Sequence, residues 1–216
     1  MGTGVGALLP DIEAKAPGAV VVGCDRAEGM VSLAPRRFKL AVADATRLPL
    51  ASDSFDAVTM IFMLFHLPHP VDGLAEARRT LRRGAPVATA TWGEDEIWPA
   101  CEVWNEELDR HGADPPEPLM SIHENVDNPE KMAMHLRDAG FTDIESWTET
   151  LRTEWSREGF IECMTGMANP KRRLDSLEPE VRPRFIAAGT ERVNDLPASD
   201  FLHTAEVVFA VGKRAR

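Results

Sequence analysis

The sequence predicts an α/β fold: an open, mostly parallel sheet with helices on both faces. Three observations carry this. Short valine-rich apolar runs recur, the first ones close on an acidic residue, and helical stretches with turn residues separate them.

The first such run is Ala19 to Cys24, ended by Asp25. A second, Phe38 to Ala43, ends at Asp44, and a third, Phe55 to Leu64, follows the turn-forming Ala51-Ser52-Asp53-Ser54. Short helical stretches lie between them. A clearer helix is expected from Val71 to Arg83, with Pro70 suited to its first turn and Val71, Leu74, Ala75 and Leu81 sharing one face. Arg78, Arg79, Arg82 and Arg83 crowd its end, where cations favour the helix dipole, so they read as a solvated terminus rather than an anion site. Ala85 to Trp92 is the next strand. Asn128 as N-cap, Pro129 behind it and Gly140 as the stop bracket another helix. Phe141 to Leu151 alternates as a strand, and Thr204 to Arg214 is the last one.

Between those two strands, residues 156–200 read as several helices broken by Pro170, Pro179, Pro183 and Pro197, a candidate cap or lid. Trp98, Trp104, Trp147 and Trp155, with Met132, Met134, Met164 and Met167, concentrate after Trp92. They can line an apolar pocket or simply pack a core. The expected organisation is a cofactor-binding core over 1–150, a helical insertion over 151–202, and the final strand of the core over 203–216.

Lys and Arg total 24 against 35 Asp and Glu, a net charge of -11 that opposes nucleic-acid backbones and anionic membrane surfaces. The cysteines Cys24, Cys101 and Cys163 are far apart and form no CxxC pair, which suits a reducing cytoplasm better than a disulfide framework. No run of about 18 apolar residues offers a membrane span. His66, His69 and Asp72 have a metal-like spacing, but Pro68 and Pro70 break any helix that would align them, so no metal is expected.

The chemistry is expected at the carboxyl ends of the strands, where an open parallel sheet binds its ligands. Gly2-Thr3-Gly4-Val5-Gly6 lets backbone N–H groups approach a ligand without a Cβ in the way. Asp25, at the next strand end, can accept from both hydroxyls of a ribose, and Asp44, one strand further, from an exocyclic amine such as adenine's. Together they describe an adenosine pocket.

The motifs "GTGVG", "VVVGCDRAEGM", "VADATRLPLASDSFDAV", "FMLFHLPHP", "LAEARRTLRRGAPVATATW" and "LRDAGFTDIE", in that order, resemble the class I S-adenosylmethionine-dependent methyltransferases. The small-molecule group is the nearest likeness, that of the ubiquinone and menaquinone biosynthesis methyltransferases. The resemblance covers residues 2–145, and 205–214 resembles the family's last, antiparallel strand. It implies a Rossmann-like sheet of seven strands in the order 3-2-1-4-5-7-6, with the helical cap inserted before the last strand. It also implies S-adenosyl-L-methionine as cofactor, a small organic acceptor and no metal, with a homodimer as a further expectation. Gly2, Thr3 and Gly4 match the loop beside the methionine portion, Asp25 and Arg26 the ribose end, and Met30 a contact near the adenine. Asp44 and Ala45 match the adenine edge, while Phe62 and His66 match the segment bordering the transferable methyl group. His66 is the candidate base.

The chain departs from the pattern twice. "LRRGAP" replaces the usual Leu-Arg-Pro-Gly-Gly turn, and the family's first strand falls upstream of Met1. Loss of a central strand leaves buried ladder groups unpaired at about 1 to 3 kcal/mol each, so the expectation is that the natural protein begins upstream or that something fills the gap. Two other readings stand beside the enzyme: a catalytically inert methyltransferase-like binding module, and an NAD(P)-dependent oxidoreductase, whose G-x-G-x-x-G spacing the glycines do not meet.

Overall fold

A computed structural model describes residues 1–116 and 123–216. They form two compact units: residues 1–94, 121–149 and 207–216 in the first, and 95–120 with 150–206 in the second.

The first unit opens with α1 (Leu9–Lys15), β1 (Val22–Asp25), α2 (Glu28–Leu33) and β2 (Lys39–Val42). β1 and β2 pair in parallel, with Asp25 opposite Val42, and make a two-stranded sheet. Then come β3 (Val58–Ile61), α3 (Pro70–Thr80), β4 (Pro86–Ile97), α4 (Pro99–Arg110), α5 (Pro129–Asp138), β5 (Phe141–Glu154), α6 (Arg157–Gly166), α7 (Ala168–Ser176), α8 (Arg182–Asn194) and β6 (Leu202–Arg214).

A second sheet has the order β3-β4-β6-β5. β3 and β4 are parallel, with Val58 opposite Val87. β6 runs against β4: the Gly84 N–H donates to the Arg214 carbonyl, while further along β4 the Thr89 hydroxyl donates to the Ala210 carbonyl. The strand order matches the expected one with its first-strand position open, so the described residues hold six strands in two sheets instead of seven in one. Residues 1–3 link the sheets at that position. The Met1 ammonium donates to the Thr59 carbonyl of β3 at 2.8 Å, and Thr3 N–H to the Cys24 carbonyl of β1 at 2.9 Å. Burial holds the Met1 amine below its ordinary pKa.

The core of this unit joins Met60 and Val87 of the strands to Leu74, Ala77 and Leu81 from the α3 segment and to Met132 and Leu136 of α5. α3 ends at Thr80, three residues before the sequence pattern suggested, and its inward face is Gly73, Leu74, Ala77 and Thr80, with Ala75 exposed. The pattern misassigned Ala75 because its neighbour Gly73 carries no hydrophobic side chain to mark the buried face. A Cβ on Gly73 would meet the tip of the Leu67 side chain, which would have to move to admit it. α5 keeps its expected cap, with Asn128 Oδ1 accepting from Lys131 N–H at 3.0 Å, and Gly140 follows with φ of 81°.

The second unit packs Trp104 and Leu108 of α4 against Phe160 and Met164 of α6, Phe185 of α8 and Phe201. α4 presents Ala100, Trp104 and Leu108, four residues apart, as its buried face. Pro170 and Pro183 stand in the first turns of α7 and α8, where a missing N–H costs nothing, so they start helices instead of breaking them. The Trp and Met set does not make one pocket. Trp104 and Met164 are core residues of the second unit, Met132 of the first, and Met134, Trp147 and Met167 are exposed. Among the described residues no helix is long and apolar enough to cross a membrane.

Candidate functional site

The site is built at the carboxyl ends of β1 and β2 and on the segment after β3. Gly2, Gly4 and Gly6 all have left-handed φ, 65°, 53° and 76°, which an L side chain resists. The reasons for glycine differ. A Cβ on Gly2 would stand 2.6 Å from Met63 Cβ, and one on Gly6 would meet Ala34, Pro35 and Leu9 at 3.0 to 3.1 Å. At Gly4 no atom lies within 4 Å of that position, so Gly4 alone of the three presents bare backbone to open space.

Asp25 fixes that backbone. Its Oδ2 accepts from Gly4 N–H at 2.8 Å and its Oδ1 from Ala27 N–H at 2.9 Å, so one carboxylate clamps the turns on both sides of it. Each ionised oxygen keeps a further lone pair for a ligand. The Asp25 carbonyl accepts from Ala43 N–H at 2.9 Å, which brings Asp44 to the neighbouring strand end. Asp44 is exposed, and its Oδ1 accepts from both the N–H and the hydroxyl of Thr46 at 2.8 Å. These bonds from Thr46 hold the Asp44 carboxyl below the usual carboxylate range. Ala45 turns its side chain into the core, and Met30, on α2, is 47% exposed.

The loop after Asp44 is tied to α3. Leu48 N–H donates to Glu76 at 2.8 Å, and Arg79, paired with Glu76, donates to the carbonyls of Leu48 and Leu50. Arg79 holds the Glu76 carboxyl low, with the Leu48 N–H helping.

Beyond β3, Phe62 has a left-handed φ of 50°, its N–H donates to the Ala90 carbonyl at 2.8 Å, and its ring lies 4.3 Å from that of Trp92. A non-glycine aromatic in this conformation stores strain of a kind that clusters at functional sites. His66 closes a single helical turn, Leu64–His66, with its ring 4.4 Å from Phe65. Its residue surface is exposed, yet partial desolvation of the imidazole lowers its pKa; Arg26 pushes the same way and Asp25 opposes. Those two charges act on His66 because the β1 end and the turn after β3 are neighbours. Gly4, Asp25, Arg26, Asp44 and His66 thus share one end of the first unit.

Sequence reasoning missed Thr46, Ala27 and Trp92. The Asp-x-Thr spacing of an Asx turn was a usable signal for Thr46, since such residues bond the backbone two positions on. Ala27 acts through its N–H and leaves no trace in residue type. Among the described residues no group of His, Cys, Asp and Glu is placed to hold a metal ion.

Residues 1–89 match the family profile described as the methyltransferase domain. More particularly, the chain is 34% identical over 146 residues to a demethylmenaquinone methyltransferase of Clavibacter sepedonicus, covering 60% of each chain. The chain spans 32%, 60% and 59% of the length of three such curated relatives. Among solved structures it resembles the YcgJ protein from Bacillus subtilis, with TM-score 0.57 and 16% identity over 100% of this chain and 90% of that one. It also resembles a phosphoethanolamine N-methyltransferase 2 of Haemonchus contortus in complex with S-adenosyl-L-methionine, with TM-score 0.55, 16% identity, and 100% and 47% coverage. These structural likenesses show the Rossmann-like fold.

Proposed function

We propose that the chain is an S-adenosylmethionine-dependent methyltransferase acting on a small organic acceptor. The observation that carries this is the clamp of Asp25 on Gly4 N–H, which holds a bare stretch of backbone beside a carboxylate with acceptor capacity to spare. The donor set fits an adenosyl group. Asp25 would take the ribose hydroxyls through its remaining lone pairs, and Asp44 the exocyclic amine through Oδ2, since both Thr46 bonds go to Oδ1. Gly2, Thr3 and Gly4 would border the methionine portion, with Arg26, Met30, Ala45 and Phe62 completing the surround.

Bound there, the cofactor supplies an electrophilic methyl group on a sulfonium, open to direct displacement. The chain's own task is then alignment and exclusion of water. The Phe62 and Trp92 rings supply an apolar wall. His66, held neutral near pH 7 by its lowered pKa, would accept the proton that an O–H or acidic C–H acceptor loses as its bond to the methyl carbon forms.

The relatives' names point to a quinone-type ring as acceptor, and the net charge of -11 argues against nucleic acid. A cytoplasmic location and a homodimer complete the reading. Calorimetric titration with S-adenosylhomocysteine tests it. Stoichiometric binding is expected; silence would leave an inert module, and preference for a dinucleotide would indicate an oxidoreductase.

A further inference from the structure

The basic run at the end of α3 does not behave as one group. Arg79 is spent on Glu76 and on loop carbonyls, and Arg82 lies against the Asp56 carboxylate. Arg78 packs over Gly140, its Nε 3.1 Å from where a Cβ would stand. Arg83 instead faces a cavity of about 450 Å³, which it lines with Gly84, Thr142, Asp143, Lys213, Arg214 and Arg216.

The frame of that cavity is fixed. Arg214 has a side chain 16% exposed, pairs with Asp53 at 2.7 Å, and donates to the carbonyls of Arg78 and Arg79. Lys213 lies 3.7 Å from Asp143, and Arg83 Nη1 donates to the terminal carboxylate of Arg216 at 3.2 Å. Asp53 and Asp143 both have left-handed φ, 55° and 49°, so the backbone turns out of its ordinary range to set their carboxylates against the end of β6. Four cations then face three carboxylates, those of Asp53, Asp143 and the terminal residue Arg216, a local positive excess of one on a chain of net charge -11. Gly84, with φ of 79°, leaves the floor open: the nearest atom to a Cβ there is 3.9 Å away, on Arg216.

We propose that this cavity binds a phosphate-bearing small molecule. The guanidinium of Arg83 offers the planar fork that suits phosphate oxygens, and the Lys213 ammonium adds a point charge from another strand. The volume exceeds that of a lone phosphate and admits the organic group it is attached to. Gly84 precedes β4, whereas Phe62 and His66 follow the parallel β3, so this site lies at the other ends of the strands from the proposed cofactor cradle. It does not depend on the methyltransferase reading.

The test is titration of the whole chain with inorganic pyrophosphate at fixed ionic strength, following backbone amide shifts, with Arg83→Gln and Arg82→Gln compared. Both variants remove one charge from an exposed residue. Saturable binding that moves the Gly84 and Thr142 amides is expected, weakened about tenfold or more by Arg83→Gln and less than about twofold by Arg82→Gln. Equal weakening by the two variants would mean a diffuse field rather than a site and would overturn the proposal. So would the absence of saturable binding to the unaltered chain. Cofactor binding is expected to be the same in Arg83→Gln as in the unaltered chain.

Discussion

Replacing Asp25 with Asn separates the architectural role of the carboxylate from its proposed contact with ligand. Asp25 accepts two main-chain hydrogen bonds, from Gly4 at 2.8 Å and Ala27 at 2.9 Å. Asn keeps one carbonyl oxygen, and its amide nitrogen must then face the other N–H, donor against donor. A hydrogen bond to a charged group contributes about 1.5 to 3 kcal/mol. Asp25 is half-buried and water can partly replace the lost partner, so the low end, about 1.5 kcal/mol, is the expected cost. For a chain of this length that corresponds to a melting temperature lower by about 3 to 6 °C. Asp25→Ala, which loses both bonds, is expected to cost about twice as much. Thermal denaturation reads the stability term, and calorimetry with S-adenosylhomocysteine, below the melting range, reads affinity. A melting temperature within about 1 °C of the original would show that Asp25 does not tie the glycine segment to β1. A lowered melting temperature with unchanged affinity would leave the clamp standing and remove Asp25 from ligand binding.

The glycines make a second set of predictions. Gly4→Ala and Gly18→Ala both place a side chain at positive φ in open space, so each is expected to lose about 1 to 2 kcal/mol, whereas Gly6→Ala, crowded by Ala34 and Pro35, loses about 1 to 3 kcal/mol more. Only Gly4→Ala of the open pair should also weaken S-adenosylhomocysteine; equal affinity in the two would argue against the Gly4 face. Arg26→Gln is expected to raise the His66 pKa toward its ordinary 6.5, read from the imidazole proton shifts, and a fall would contradict the placement of Arg26. Because the fold lowers that pKa, the contribution of His66 to stability is complete above about pH 6.5 and is lost as pH falls through the folded value. His66→Gln should reduce turnover while leaving S-adenosylhomocysteine affinity intact; an unchanged turnover number would take His66 out of the mechanism. Thr46→Val removes one of two bonds to Asp44 and should raise its pKa, measurable by carboxyl carbon shifts; no change would show that the hydroxyl bond does not form.

The strands β1, β3 and β4 were legible because buried parallel strands are written as unbroken apolar runs closed by acidic or turn residues, as at Asp25. β2 shows the same kind of run, but the pattern overstates its burial, since Lys39 and Val42 are exposed and none of its residues is buried. The strand ends were not legible: Phe55 to Leu64 reads as one run, but Phe55 makes only an isolated bridge to Leu81, and the ladder with β4 begins at Val58 and stops at Ile61, after which Phe62 turns to left-handed φ. Nothing in a run of apolar letters marks such a turn. The glycine triplet was visible as a motif, yet its division into packing glycines and one open glycine depends on Met63, Ala34 and Pro35, which are distant in sequence. The same holds for the arginines after α3, whose separate fates are decided by Glu76, Asp56 and the end of β6. α4 carried the same signal as α3 and α5, with Ala100, Trp104 and Leu108 four residues apart behind Pro99, and was overlooked although the period was there to read.

The central claim is that Gly4, Asp25 and Asp44 converge on one adenosyl group. Addition of S-adenosylhomocysteine to the isotope-labelled chain, followed through its backbone amide resonances, addresses this directly. The account predicts saturable shifts concentrated on residues 2–6, 25–27 and 44–46, with Thr142 and Gly84 unmoved. Saturable shifts centred elsewhere, with those three segments silent, would contradict it.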